Sequence, residues 1–186
     1  VAALLVGASI VGASVPLLAG SLRSREPGQP ITGGIGPGAS AGNEDPLAFF
    51  QTRVREDPSN LTARLDLAHR YVDAGRVREA AGEYAAALRL DPGSAEARAH
   101  VGLILFLAGR AGDGLRQVRE ALGSDATYPE AWFIEGVILV KGLSRNAAGE
   151  RALERYLQLA PFGAERDTAR ALLKAIAKEA ATPAGR

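Results

Sequence analysis

The sequence predicts an all-α fold: a short α-solenoid of about three helix–turn–helix units, with a helix capping each end. Three observations carry this. The stretch from Leu61 to Pro92 holds two helical apolar patterns joined by a tight turn at Asp73-Ala74-Gly75-Arg76. The same unit begins again at Ala95 and at Pro129, each 34 residues after the last. Several columns then agree at that one period: Ala68, Gly102 and Gly136 at position eight, Gly75 and Gly109 at position fifteen, Ala80 and Gly114 at position twenty. A unit that cannot bury its apolar face alone stacks on copies of itself, and a fixed period of this size is the mark of such an array.

Within the first unit, Leu65, Leu67, Ala68, Tyr71 and Val72 recur at helical spacing, followed by Val77, Ala80, Ala81, Tyr84, Ala87, Leu88 and Leu90. Gly75 suits the end of the first helix, where a residue without a Cβ enters the left-handed region at little cost. Pro92 cannot extend the second helix and disfavours helical geometry at Asp91. The pattern and the period together resemble the tetratricopeptide repeat (TPR). The resemblance covers about Leu61 to Pro161, divided as 61–94, 95–128 and 129–161. Three departures stand out. Arg64 and Arg98 occupy position four, where the third unit has the bulky Trp132. Ala126 replaces the closing proline of the second unit. The third unit is one residue longer, with the extra residue expected near Gly142-Leu143-Ser144-Arg145 and an irregular turn there.

Elements flank the repeats. Over residues 44–60, Asp45 can cap a helix with Pro46 in its first turn; Leu47, Phe49, Phe50 and Val54 give it an apolar face, and Pro58 stops it. This reads as a half-repeat covering the front of the stack. Over 162–186, a helix from Ala164 to Ala180 presents Ala169, Leu172, Leu173 and Ile176 as the closing cap. A disordered tail is expected from Thr182.

The chain before residue 44 has a different character. Val1 to Leu22 contains no charged residue. As a helix it would span about 33 Å, close to the roughly 30 Å of a bilayer's hydrocarbon core. It is expected to be a transmembrane anchor. A cleaved signal peptide is the alternative, since Ala19-Gly20-Ser21 supplies small residues near its end. Serine stands where a lipoprotein needs cysteine, so lipid attachment there is excluded. Residues 23–43 are rich in Gly and Pro and read as a flexible linker. Their Gly33-Gly34-Ile35-Gly36-Pro37-Gly38 run lacks the flanking strand, the helix and the Lys-Ser/Thr of a phosphate loop. Arg23 and Arg25 alone would argue for a cytoplasmic C-terminal side.

From Glu44 onward 20 basic residues meet 20 acidic ones, which argues against a nucleic-acid footprint. The absence of cysteine removes disulfides, thiolate metal sites and cysteine nucleophiles. His69 and His100 lack ligand spacing and read as packing or solvated side chains. The serines carry no nucleophile motif, and the carboxylates alternate with arginines as ordinary surface pairs. The chain is therefore expected to be neither an enzyme nor a cofactor protein.

In the TPR family, partners lie along positions two, five, nine, twelve and thirteen of the first helices. The resemblance assigns these to Thr62, Leu65, His69, Val72 and Asp73, then Glu96, Ala99, Leu103, Phe106 and Leu107, then Glu130, Phe133, Val137, Val140 and Lys141. Leu65, His69, Leu103, Phe106, Leu107, Phe133 and Val137 are the candidate peptide-binding residues, an apolar strip suited to a protein or peptide partner. Leu65 and His69 also stand against a clamp for terminal carboxylates, which would need Lys, Asn and Arg. An anchor, a tether, FFQTRVREDPSN and then LDLAHRYVDAGRVREAAGEYAAALRLDP further resemble bacterial cytochrome c maturation proteins of the CcmH/CycH type. That resemblance implies a repeat domain outside the cytoplasmic membrane, held by a single pass, that binds unfolded apocytochrome c. A scaffold or self-assembling part of an envelope complex is the second reading.

Overall fold

The computed structural model describes residues 46–181, and the expected anchor, linker and extreme C-terminal tail lie outside them. Among the described residues no helix is long and apolar enough to cross a membrane. The architecture is a TPR-like solenoid without strands in that range. A front helix, α1 (Pro46–Glu56), precedes three antiparallel pairs: α2 (Leu61–Asp73) with α3 (Val77–Leu90), α4 (Ala95–Leu107) with α5 (Ala111–Ser124), and α6 (Pro129–Val137) with α7 (Asn146–Leu159). The last helix, α8 (Arg166–Ala181), starts two residues later than the expected Ala164. There Arg166 donates to the carbonyls of Leu157 and Ala160, holding the end of α7 in place.

Each pair is entered through the same turn. Asp57, Asp91 and Asp125 accept from the backbone N–H two residues on, at 3.1, 2.8 and 2.8 Å. Asn60 and Ser94 then cap α2 and α4 by accepting from Ala63 N–H and Ala97 N–H, and Pro129 opens α6. The proline missing at Ala126 is thus covered by the aspartate, which builds the turn without it. Position four completes the clamp. Trp132 Nε1 donates to Ala126 O at 2.9 Å, Arg64 Nε to Pro58 O at 2.8 Å and Arg98 Nη2 to Pro92 O at 2.5 Å. Arginine therefore replaces tryptophan by bringing an N–H to the same carbonyl. Both arginines also reach across to the second helix, Arg64 to Glu83 and Arg98 to Glu120.

Positions eight and twenty set how close the paired helices come. A Cβ on Gly102 would lie 2.6 Å from Val118 Cγ2 and 2.8 Å from Gly114 O. Only glycine lets α4 and α5 cross at this distance. The first pair uses Ala68 and Ala80 instead, both fully buried. Position twenty-four of each unit fills the space above position eight: Tyr84, Val118 and, after the extra residue, Leu153, all fully buried. Burial of an apolar side chain of this size contributes about 1.5–3 kcal/mol.

The core falls into two clusters. One joins Leu65, Leu67, Ala68, Tyr71, Ala80, Tyr84 and Ala87 to α1 through Leu47, Phe50 and Val54. The other runs from α4 to Ala169, Leu172 and Ile176 of α8. Phe49 departs from the expected apolar face of α1. The positions 47, 50 and 54 define the buried stripe, so Phe49 points outward, 57% exposed, with the Arg53 guanidinium above its ring.

The extra residue of the third unit is absorbed one turn earlier than expected. α6 continues into a π-helical turn, Ile138–Gly142, which takes one more residue per turn than an α-helix. This keeps Ile138 and Leu139 buried. The following turn then places Ser144 at φ 53°, where the earlier units have Gly75 at 70° and Gly109 at 80°. A left-handed conformation costs a non-glycine residue about 1–2 kcal/mol. Ser144→Gly is therefore expected to raise stability by about 1 kcal/mol in urea unfolding. A loss of stability would show that the serine side chain holds this turn.

Candidate functional site

The first helices lie side by side, and their facing side chains separate into an apolar part and a polar part. Of the seven candidate residues, Leu65 and Phe133 are each only 9% exposed and belong to the two cores, Phe133 with its ring 5.3 Å from that of Tyr156. Leu103, Phe106 and Val137 are half-buried and pack against the second core, while Leu107 is 57% exposed. Val140 joins the same half-buried set. The open apolar strip therefore lies on α4 and α6, and α2 contributes little of it. Phe106 bridges the units, since a Cβ on Gly142 would sit 2.9 Å from its Cε2.

His69, the remaining candidate, belongs to a polar cluster that the sequence did not reveal. Its ring meets His100 edge-on at 4.7 Å, and His100 stacks on Tyr84 at 5.0 Å. His69 Nε2 lies 3.4 Å from Glu96 Oε1, and His100 Nδ1 lies 3.0 Å from Glu96 O. Beside them the Tyr128 hydroxyl donates to Glu130. The two histidines occupy different positions in their repeats, nine and six, so no column of the period could announce that they meet.

Burial governs the protonation of this cluster. It pushes the His69 pKa down, helped by His100 and opposed by Glu96, Glu130 and Asp66. Burial also pushes His100 down, opposed by its bond to the Glu96 carbonyl and by Glu130 and Glu165. Glu96 is pushed up by burial, with His69 pulling the other way. The 3.4 Å separation of His69 and Glu96 has ion-pair geometry, yet burial drives both partners toward their neutral forms. The contact is therefore a weak one, with the imidazole neutral at pH 7.

A pH dependence follows. Unfolded histidines titrate near 6.5, whereas the folded ones resist protonation, so the unfolded state gains protons first as pH falls. Their contribution to stability is present above that value and is lost below it. Glu96 acts in the opposite sense, since burial raises its pKa above the usual 4.5 and protonation favours its folded form. The melting temperature is expected to fall between about pH 7 and pH 5.5. His100→Gln should flatten that slope in a calorimetric series; an unchanged slope would place the titrating group elsewhere.

Residues 40–124 match the tetratricopeptide repeat family model. A barley (Hordeum vulgare) protein, a probable UDP-N-acetylglucosamine–peptide N-acetylglucosaminyltransferase SPINDLY, is 31% identical over 122 residues; these are 60% of this chain but 13% of that one. The first TPR of Spaghetti (RPAP3) bound to the HSP90 peptide SRMEEVD superposes with a TM-score of 0.59 at 18% identity, covering 66% of this chain and 96% of that one. The Yersinia enterocolitica type III secretion chaperone SycD, in complex with a peptide of the translocator YopD, gives 0.55 at 18% identity over 64% and 94%. These likenesses establish the TPR fold.

Proposed function

We propose that this TPR protein is a non-catalytic binding module that holds a peptide or protein segment against its first helices. The observation that carries the reading is the half-open apolar strip of Leu103, Phe106, Leu107 and Val137. A strip of this kind beside a polar rim is how a groove receives an apolar side chain of a ligand. Two of the structures with this fold are described with a bound peptide, which supports the same use here.

The finer reading adds a place and a client. The uncharged run 1–22 anchors the chain in a bacterial cytoplasmic membrane and residues 23–43 tether the repeats on its outer side, where they hold apocytochrome c for haem attachment. The resemblance of residues 49–92 to the CcmH/CycH type supports it. The test is binding of haem-free apocytochrome c to the full chain in detergent. We expect binding that Phe106→Glu weakens at least tenfold while the helical circular dichroism is kept. No binding by the wild type would remove the cytochrome assignment. Concentration-dependent self-association, seen by light scattering and lost in Phe106→Glu, would favour an envelope scaffold instead.

A further inference from the structure

Position two of successive first helices carries Glu96, then Glu130 and, after the extra residue, Glu165 at the entry to α8. Four other carboxylates on the repeats are closed off by an arginine from another element: Asp66 by Arg53, Glu83 by Arg64, Glu120 by Arg98 and Glu135 by Arg119. These three are not. Among the described residues Glu96 meets only the neutral His69, Glu130 accepts from the Tyr128 hydroxyl, and Glu165 accepts from the Tyr156 hydroxyl at 3.1 Å. Their fields converge, since Glu130 and Glu165 both act on His100 and Glu96 and Glu130 both act on Tyr128. The positive charge of the groove positions, Lys141, lies at the far end of the third first-helix.

A second observation points to an absent partner. Tyr84 is fully buried, yet its hydroxyl has no hydrogen-bond partner. The ring lies against His69 and His100, and after burial the charges its hydroxyl feels most are those of Glu96 and Glu130. Leaving a buried hydroxyl unpaired is costly as a rule. The enclosed hydroxyl and the carboxylates that act on it leave hydrogen-bonding capacity that no donor among the described residues fills.

We propose that the occupant of the groove is a basic, apolar peptide segment whose lysine or arginine side chains reach Glu96 and Glu130 while its apolar side chains rest on Leu103 and Phe106. This rests on the peptide-binding reading and specifies its ligand. The chemistry is complementary in charge to the groove and opposite to that of a clamp for terminal carboxylates. Packed helices lie about 8–10 Å apart and an extended chain advances about 3.3 Å per residue. The matching ligand therefore carries a basic residue at about every third position. A competing explanation is that the acids merely complement helix N-termini; it predicts a loss of stability without a loss of binding.

The test uses the full chain in detergent and two fluorescent synthetic peptides. They share the same apolar residues, with lysine at every third position in one and glutamine there in the other. The lysine peptide is expected to bind at least tenfold tighter, and the double variant Glu96→Gln/Glu130→Gln to abolish that preference. Glu120→Gln, whose carboxylate faces Arg98, should leave it unchanged. Equal binding of both peptides, with Phe106→Glu still abolishing it, overturns the basic-ligand proposal and leaves peptide binding standing. Binding of neither peptide overturns both. A double variant that melts earlier yet keeps the lysine preference assigns the acids to helix ends alone and overturns the proposal.

Discussion

Gly114→Ala is expected to cost about 3 kcal/mol, near the upper end of what an overpacked interior loses. The added Cβ would lie 2.5 Å from Gly102 O and 3.2 Å from Phe106 N, and both are backbone atoms. No rotamer change relieves such a clash, so α4 and α5 would have to separate along their crossing. For a domain of this size the loss corresponds to roughly 10 °C in melting temperature. Gly82→Ala is the internal control. It is the same substitution in α3, but a Cβ there meets nothing within 4 Å. It should stabilise by about 0.5–1 kcal/mol, because alanine restricts the unfolded chain and favours helix. Thermal melts of the two variants should move in opposite directions. If Gly114→Ala did not lower the melting temperature, the close approach of α4 and α5 would be wrong.

Leu153→Ala is expected to cost about 2–5 kcal/mol, the range for truncating a buried leucine. Its side chain is fully buried and rests on Gly136, where an added Cβ would come within 2.6 Å of Leu153 Cγ and 2.7 Å of Cδ2. The two positions form a knob and its socket, and they should therefore be coupled. Gly136→Ala alone destabilises by collision with the leucine. In the Leu153→Ala background the two closest obstructing atoms are gone, leaving Gly149 O at 3.3 Å, and the new methyl fills part of the cavity. The double variant should thus be more stable than the sum of the single losses predicts, by about 1–3 kcal/mol of interaction free energy. Additive losses in chemical denaturation would mean that the two side chains do not meet.

What the sequence disclosed follows from which physical constraints act on residue identity. Close helix crossing demands a small residue, so positions eight and twenty showed as columns of Gly and Ala. Position twenty-four demands only a buried apolar volume, and Tyr84, Val118 and Leu153 share no chemistry that would mark them as one column. The extra residue of the third unit was countable, but its place was not. Ile138–Gly142 reads as ordinary apolar helix, and the π-helical turn arises because the ladder reroutes there to keep Ile138 and Leu139 inside. The apolar strip was partly legible. The family positions named Leu103, Phe106, Leu107 and Val137, which stay at least partly open, yet they could not show that Leu65 and Phe133 sink to 9% exposure against neighbouring helices. The His69, His100 and Tyr84 cluster was hidden because it is assembled by stacking between units, which a repeat-by-repeat reading does not compare.

The clamp made by Arg64, Arg98 and Trp132 on the preceding turn bears on how such arrays diverge. A single base change converts the tryptophan codon into either of two arginine codons. The column can therefore alternate between the two residues without passing through a side chain that lacks the N–H donor. Drift at this position leaves the turn closed throughout, so copies can lose their likeness to one another while the stack they build is inherited intact.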